Sequence, residues 1–471
     1  MAPQETVCDT SERFEVIHRS SDATHALAAL RAREYPLLDR LGHVYLDYTA
    51  GNLSPISLLN RHMEFLRDHL LGNPHSSNAE SVLSTAILEQ ARLSVLAFFN
   101  ADPDEYAVVF TANATQALKL VGEAYPFDES GEYLLTFDNH NSVNGIREFC
   151  RSKRCRVSYV PITLPDMRVN DTELAEFLAT KPKGGARLFA YPAQSNFSGV
   201  QHPLEWIELA QQSGWDVLLD AAAFTPTNIL DLRRWRPDFV SQSFYKMFGY
   251  PTGVGCLVAR RAALAKLRRP WFSGGTISVA SVQGDRFYLA EGPSAFEDGT
   301  PNYLALPAVG FGLEYLASIG IPVIHEHVAM LTTVLIERLT SLRHSNGEVL
   351  ARLYGPRSTE RRGGTVTFNL YDASGHAIDH RDVEQRANTV NISLRTGCFC
   401  NPGGGEIALG ITGTELSSCF HLPEHETRLT VDDFRRCIDG KSTGAVRVSL
   451  GIVSNVDDVD AFVRFAEGFL T

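Results

Sequence analysis

Between residues 107 and 259 short apolar runs alternate with amphipathic stretches, and that alternation leaves the chain few folds to choose from. Ala107–Phe110, Tyr133–Phe137, Arg156–Val160, Arg187–Tyr191, Val217–Leu219, Phe239–Gln242 and Gly255–Ala259 read as strands. Thr115–Glu123, Val143–Cys150, Thr172–Ala179 and Pro203–Ser213 read as the helices between most of them. The pattern predicts an α/β fold, a mostly parallel sheet covered by helices, in which ligands gather at the carboxyl ends of the strands.

The flanks follow other rules. Ser11–Glu34 reads as a helix ended by Tyr35-Pro36, His43–Asp47 as a strand, and Ser57–Leu71 and Ala79–Phe99 as helices separated by the polar loop Gly72–Asn78. Beyond about Tyr315 a long helix at Val323–Leu342 leads to strands at Thr365–Leu370 and Val446–Ser449, the mark of a smaller α+β domain. The charged stretch Gly355–Gly364 reads as a loop. The expected organisation is an N-terminal helical segment (1–42) packing on the small domain, a large domain (43–315) and a small C-terminal domain (316–471).

A net charge of −12 argues against a nucleic-acid or anionic-membrane binder and favours small-molecule chemistry. The first residues lack a basic region followed by an apolar one, and no uncharged apolar run of about 18 residues occurs. The expectation is a soluble, cytoplasmic protein. Eight scattered cysteines are no disulfide framework, and the one close pair, Cys398 and Cys400, is spaced C-x-C with no second pair, so no metal site is expected.

Four segments carry chemistry. Lys246 stands between Tyr245 and Phe248 with no acidic neighbour nearby in sequence, a setting that desolvates the amine and suits it to Schiff-base formation, although most lysines are surface charges. Asp220 ends an apolar strand; it is either a cap or the acid that keeps a pyridinium nitrogen protonated, and pairing with Lys246 favours the second role. At Phe110–Ala117 a strand passes into a helix whose first N–H groups, with Ala114 and the Thr115 hydroxyl, suit a phosphate; the alternative is an ordinary Thr cap. His140 follows another strand and either stacks on a flat ring, relays protons or is structural. Finally, Arg395 suits a carboxylate and precedes a glycine-rich, mobile stretch bearing Cys398 and Cys400, one of them a candidate exposed nucleophile.

Together these segments resemble the class V aminotransferase family, enzymes of pyridoxal 5'-phosphate (PLP) that include the cysteine desulfurases, and most of all the N-terminal desulfurase domain of molybdenum cofactor sulfurases. The resemblance rests on Ser243–Gly253 (SFYKMFGYPTG), Phe296–Thr300 (FEDGT), Arg395–Asn401 (RTGCFCN) and Thr443–Gly451 (TGAVRVSLG), which occur in the family's order over nearly the whole chain. It implies PLP-transferase fold type I, with Lys246 holding PLP, Asp220 on the ring nitrogen and His140 stacked on the ring. It further implies Thr115, Ser243 and Tyr245 as phosphate ligands, and Thr300 reaching the phosphate of the partner's cofactor in a homodimer. Asn196 falls near the substrate carboxylate and cofactor hydroxyl, Arg395 on the carboxylate, Cys400 at the persulfide position and Cys398 as an auxiliary thiol. The reaction implied is removal of sulfur from L-cysteine or a related amino acid, release of alanine, and transfer to a protein or small-molecule acceptor. The other readings are different PLP chemistry (C–S lysis, elimination or replacement, epimerisation, transamination) in a specialised pathway, or a low-turnover sulfur-relay or binding scaffold.

Three positions depart from that pattern. Gly404-Gly405 stand where relatives carry Ala-Cys, and Ala223 stands where many desulfurases have a glutamine. The chain ends at Thr471 without the molybdenum-cofactor-binding C-terminal domain of the sulfurases, so the expectation is that its sulfur goes to another acceptor or that it uses PLP for different chemistry.

Overall fold

The structure is a computed structural model that describes residues 26–180, 184–422, 428–438 and 441–471. The first part of the expected Ser11–Glu34 helix lies outside the described residues, and 26–34 are helical. In chain order the large-domain elements that position the site are α1 (Ala79–Phe98), β1 (Tyr106–Thr111), α2 (Ala114–Ala124), β2 (Glu132–Thr136), β3 (Arg156–Val160), β4 (Arg187–Pro192), β5 (Asp216–Asp220), β6 (Phe239–Ser243) and β7 (Gly255–Arg260). The seven strands form one sheet in the order β1-β7-β6-β5-β4-β2-β3, parallel except where β7 runs against both its neighbours.

Helices cover both faces, so the inner strands are apolar along their length rather than alternating, as Val217, Leu218 and Leu219 illustrate. The parallel strands place the ends of β2, β4, β5 and β6, with the residues that follow them, along one edge. Asp220, Ser243 and the Phe137–His140 turn meet there.

The helix α1 is apolar enough over its length to span a bilayer, but Leu88, Ala91, Val95 and Leu96 lie in the core. Its Arg92 makes a bidentate pair with Glu297 at 2.7 Å, and the same carboxylate accepts the Phe110 N–H. The acid of the FEDGT segment is thus what ties that loop to β1; breaking a buried pair of this kind costs about 3–5 kcal/mol.

A second sheet, β8 (Ala351–Tyr354), β9 (Thr365–Leu370), β10 (Arg395–Gly397) and β11 (Ala445–Ser449), is antiparallel in the order β8-β9-β11-β10. It carries the thiol segment on the end of β10. Three features depart from the sequence reading. The glycines after Asn401 form no mobile loop: Gly403, Gly404 and Gly405 are buried inside the helix Pro402–Leu409, with Pro402 in its first turn and the Asn401 side chain accepting the Gly404 N–H. A Cβ on Gly403 would lie 2.0 Å from the Phe137 carbonyl oxygen, so the glycine is required by close approach to the large domain. Arg362, in the stretch read as a charged loop, is buried and donates to the carbonyls of Pro356, Ser198 and Thr365. Among the described residues one disulfide is present, Cys419–Cys437, between the helices Gly413–Phe420 and Val431–Cys437.

Candidate active site

A cavity of about 160 Å³ opens at the strand ends and brings Ala114, Thr115, His140, Asn196, Asp220, Ser243, Tyr245 and Lys246 to one place, eight of the residues singled out from the sequence. Lys246 sits on a single turn, Phe244–Phe248, that starts where β6 ends; Phe244, Met247 and Phe248 anchor the turn in the core and leave the amine at the cavity. Burial pushes the amine below its usual pKa, opposed by the nearby Asp220 carboxylate and aided by Arg447. That favours the neutral, nucleophilic form.

Asp220 Oδ1 accepts the Ala222 N–H at 3.1 Å and the Ser241 hydroxyl at 3.2 Å, so the carboxylate is held rather than capping a helix. His140 is also lowered by burial, against the pull of Asp220. Its Nδ1 accepts the Ser142 N–H at 3.1 Å, which puts the proton of the neutral ring on Nε2. At the other end of the cavity Asn113, not Thr115, caps α2 by accepting the Gln116 N–H. The Thr115 hydroxyl is therefore free for the cavity and bonds Ser142 Oγ at 2.8 Å, while Ser243 Oγ accepts the Ala114 N–H at 2.8 Å. Burial raises the Tyr245 phenol, which keeps it a donor.

The small domain closes the other side. Asp47 holds two arginines at once: Arg395 donates to both its oxygens, the shortest contact being 2.7 Å, and Arg447 reaches Oδ1 at 3.2 Å. The two arginines lie directly opposite each other on β10 and β11, a like-charge pairing that requires the carboxylate between them. Arg395 is half-exposed on its salt bridge. Arg447 is buried, pushed down to about 10 by that burial, and donates to the Asn196 carbonyl; among the described residues its Nε has no hydrogen-bond partner. Arg447 lies within electrostatic reach of Lys246, so it joins Arg395 as a candidate carboxylate anchor that the sequence reading did not name. Its signal was visible: one charged residue in the apolar strand Ala445–Ser449.

The thiols sit on a tight turn above the cavity. Phe399 and Cys400 both have φ near +55°, a left-handed conformation that L-residues adopt only when their surroundings impose it. Three bonds do so. Asn196 Nδ2 donates to the Phe399 carbonyl at 2.7 Å, Asn401 Nδ2 bonds Asn196 Oδ1 at 2.9 Å and the Asp138 carbonyl at 2.7 Å, and the Asn141 N–H donates to the Cys400 carbonyl at 2.6 Å. The Asn196 amide is therefore engaged with the thiol turn. Both Cys398 and Cys400 are exposed. Cys400 lies within electrostatic reach of Lys246, Arg395 and Arg447.

Thr300 lies outside this cavity; it lines a neighbouring hollow and accepts from Asn73 Nδ2 at 3.3 Å, which places the Gly72–Asn78 loop beside it. Among the described residues no three His, Cys, Asp or Glu side chains gather as a metal site. Gln194, Ala222 and Ser142 also line the cavity and had no signature in the sequence.

The donor set fits a phosphorylated pyridine aldehyde: helix N–H groups and hydroxyls at one end, a carboxylate at another, and an amine lowered by burial between. A family model for class-V aminotransferases matches residues 44–462. The chain is 38% identical over 462 residues to a molybdenum cofactor sulfurase of Bos taurus, covering 93% of this chain and 51% of that one. It is 36% identical over 470 residues to a molybdenum cofactor sulfurase of Solanum lycopersicum, covering 93% and 56%. The chain spans about half the length of the relatives it matches. Among solved structures, a cysteine desulfurase from Thermococcus onnurineus NA1 superimposes with a TM-score of 0.75 at 23% identity, covering 94% of this chain and 97% of that one.

Proposed function

The chain belongs to the class-V aminotransferase family, and from that premise we propose that it is a PLP-dependent cysteine desulfurase that takes sulfur from L-cysteine onto Cys400 and releases alanine. The observation that carries the reading is one cavity holding an amine lowered by burial and a fixed carboxylate, with an exposed thiol outside its lining but within electrostatic reach of the amine.

Lys246 would hold the PLP aldehyde, Asp220 the ring nitrogen, His140 the ring face, and Ala114, Thr115, Ser243 and Tyr245 the phosphate. When bound, the cofactor supplies an electron sink for the charge left on the substrate Cα. Arg447, with its unpartnered Nε, orients the substrate carboxylate. Lys246 Nζ, its pKa lowered by burial, takes the Cα proton and returns protons to carbon. Cys400 Sγ attacks the substrate sulfur as thiolate: the new S–S bond forms, the substrate Cβ–S bond breaks, and the electron pair of that bond ends as a C–H bond of alanine. The sulfur then leaves when a thiol attacks the persulfide.

The homodimer belongs to the same proposal. It is supported by the hairpin Ile277–Ser281/Arg286–Leu289, whose Val279, Val282, Phe287 and Tyr288 are exposed, and by Thr300 lying outside its own chain's cavity. The sulfur acceptor, a protein or small molecule bearing a thiol, and a cytoplasmic location are proposed with it. Incubation with L-cysteine, PLP and a reductant tests the reaction: equal alanine and sulfide are expected. Pyruvate and ammonia in place of alanine would replace the desulfurase with a C–S lyase.

A further inference from the structure

We infer that Gln194 is a cofactor-binding residue, donating a hydrogen bond from Nε2 to the ring oxygen of PLP, and that the Gln201 and Asn228 amides set its direction. The inference deepens the PLP reading and rests on it.

Of the two amides that the resemblance assigns near that oxygen, position 223 is alanine, and Asn196 commits its Oδ1 and one of its two Nδ2 protons to the thiol turn. A further amide is available in Gln194, 4% exposed, which lines the cavity together with Ala222, Ala223 and Lys246. These four residues also line a narrow crevice behind it that touches none of Ala114, Thr115 or Ser243. They therefore form the wall away from the phosphate end. On the pyridine ring the hydroxyl is attached beside the aldehyde carbon, on the side opposite the phosphate arm. With Lys246 on the aldehyde and Asp220 on the nitrogen, the hydroxyl edge meets the Gln194 wall.

The direction of the amide follows from a chain of hydrogen bonds. Asn228 Nδ2 donates to the Phe224 carbonyl at 2.9 Å, and a carbonyl only accepts, so Asn228 Oδ1 is an acceptor. Gln201 must then present Nε2 to it, at 3.1 Å, and the same Nε2 uses its second proton on Gln194 at 3.1 Å. The Gln194 atom facing Gln201 is thereby Oε1, and the atom left for the cavity is the donor Nε2. Among the described residues nothing accepts from it. Room for this amide is provided by Gly363, where a Cβ would lie 2.1 Å from Gln194 Oε1.

A donor to the ring oxygen stabilises its anionic form. Titrating the visible absorbance of the PLP-loaded protein with pH, and measuring PLP dissociation, tests the assignment in Gln194→Leu, which keeps the volume and removes the donor. PLP affinity is expected to fall about tenfold and the pH midpoint to rise by about one unit. Gln201→Glu, outside the cofactor's reach, is expected to turn the Gln194 amide around and raise the midpoint in the same direction. If Gln194→Leu leaves both quantities at wild-type values, the assignment is wrong while the cofactor reading stands. A shift in Gln194→Leu with none in Gln201→Glu overturns the orienting chain. If the wild type acquires no visible band that Lys246→Ala abolishes, the PLP reading itself fails.

Discussion

The two sides of the active site are built differently. On the large-domain side Lys246, Asp220 and His140 are fixed by the backbone: each follows a parallel strand whose position the sheet dictates. On the small-domain side Cys400 rides on a turn of two left-handed residues, held by side-chain amides and ion pairs that span the domains. In the proposed reaction, binding would fall to the half fixed by the backbone, and the step in which a thiol approaches and then presents sulfur to an acceptor would fall to the half held by side chains. Binding and sulfur transfer should therefore be separable by mutation.

The largest effect expected is from Lys246→Ala, which should lose both the bound-cofactor absorbance and turnover, the latter by ~10⁴-fold or more; Cys400→Ser should lose turnover to a similar degree while the absorbance stays. A variant at 400 that also failed to hold PLP would erase the distinction. Next comes Arg447→Lys, for which we expect kcat/KM for L-cysteine to drop about 30-fold, mostly through KM, since a lysine cannot serve Asp47, the Asn196 carbonyl and a substrate carboxylate together. An equal loss in Arg395→Lys with none at 447 would return the anchor to Arg395. Asn401→Ala removes the buried amide that ties the thiol turn to Asn196 and Asp138. It should lower kcat about tenfold with PLP affinity unchanged. An altered PLP dissociation constant would mean that the turn also shapes the cofactor site.

The smallest effect is on stability. Burial lowers the pKa of His140 in the folded chain, as it does those of His327 and His380. Below 6.5 the unfolded chain binds more protons at these positions than the folded one, so the stability they support is present above 6.5 and declines as pH falls toward the folded values. Denaturant titrations of the cofactor-free protein should show that decline, and His140→Gln should make it shallower; a slope unchanged by the substitution would place the titration elsewhere.

The backbone-built half was the legible half. All seven large-sheet strands fall within one residue of the positions read from apolar runs, because strands buried on both faces must be continuously apolar. Lys246, Asp220 and His140 were readable for the same reason, as polar residues at the ends of such runs. The amide-built half was not. Asn196 and Asn401 are 205 residues apart, and neither segment records that they bond. Gln194 is oriented by partners at 201 and 228, and Gly403–Gly405 looked like a loop because the Phe137 carbonyl that requires a glycine is far away in sequence. The hairpin at Ile277–Leu289 escaped notice since it has no buried face to impose a pattern.

The account turns on sulfur passing to Cys400, and one turnover without reductant tests it directly. PLP-loaded protein mixed with one equivalent of L-cysteine should yield alanine up to about one per site, and the peptide containing Cys400 should gain the mass of one sulfur atom in matching amount. Alanine without added sulfur at Cys400, or pyruvate and free sulfide with the peptide unchanged, would contradict it.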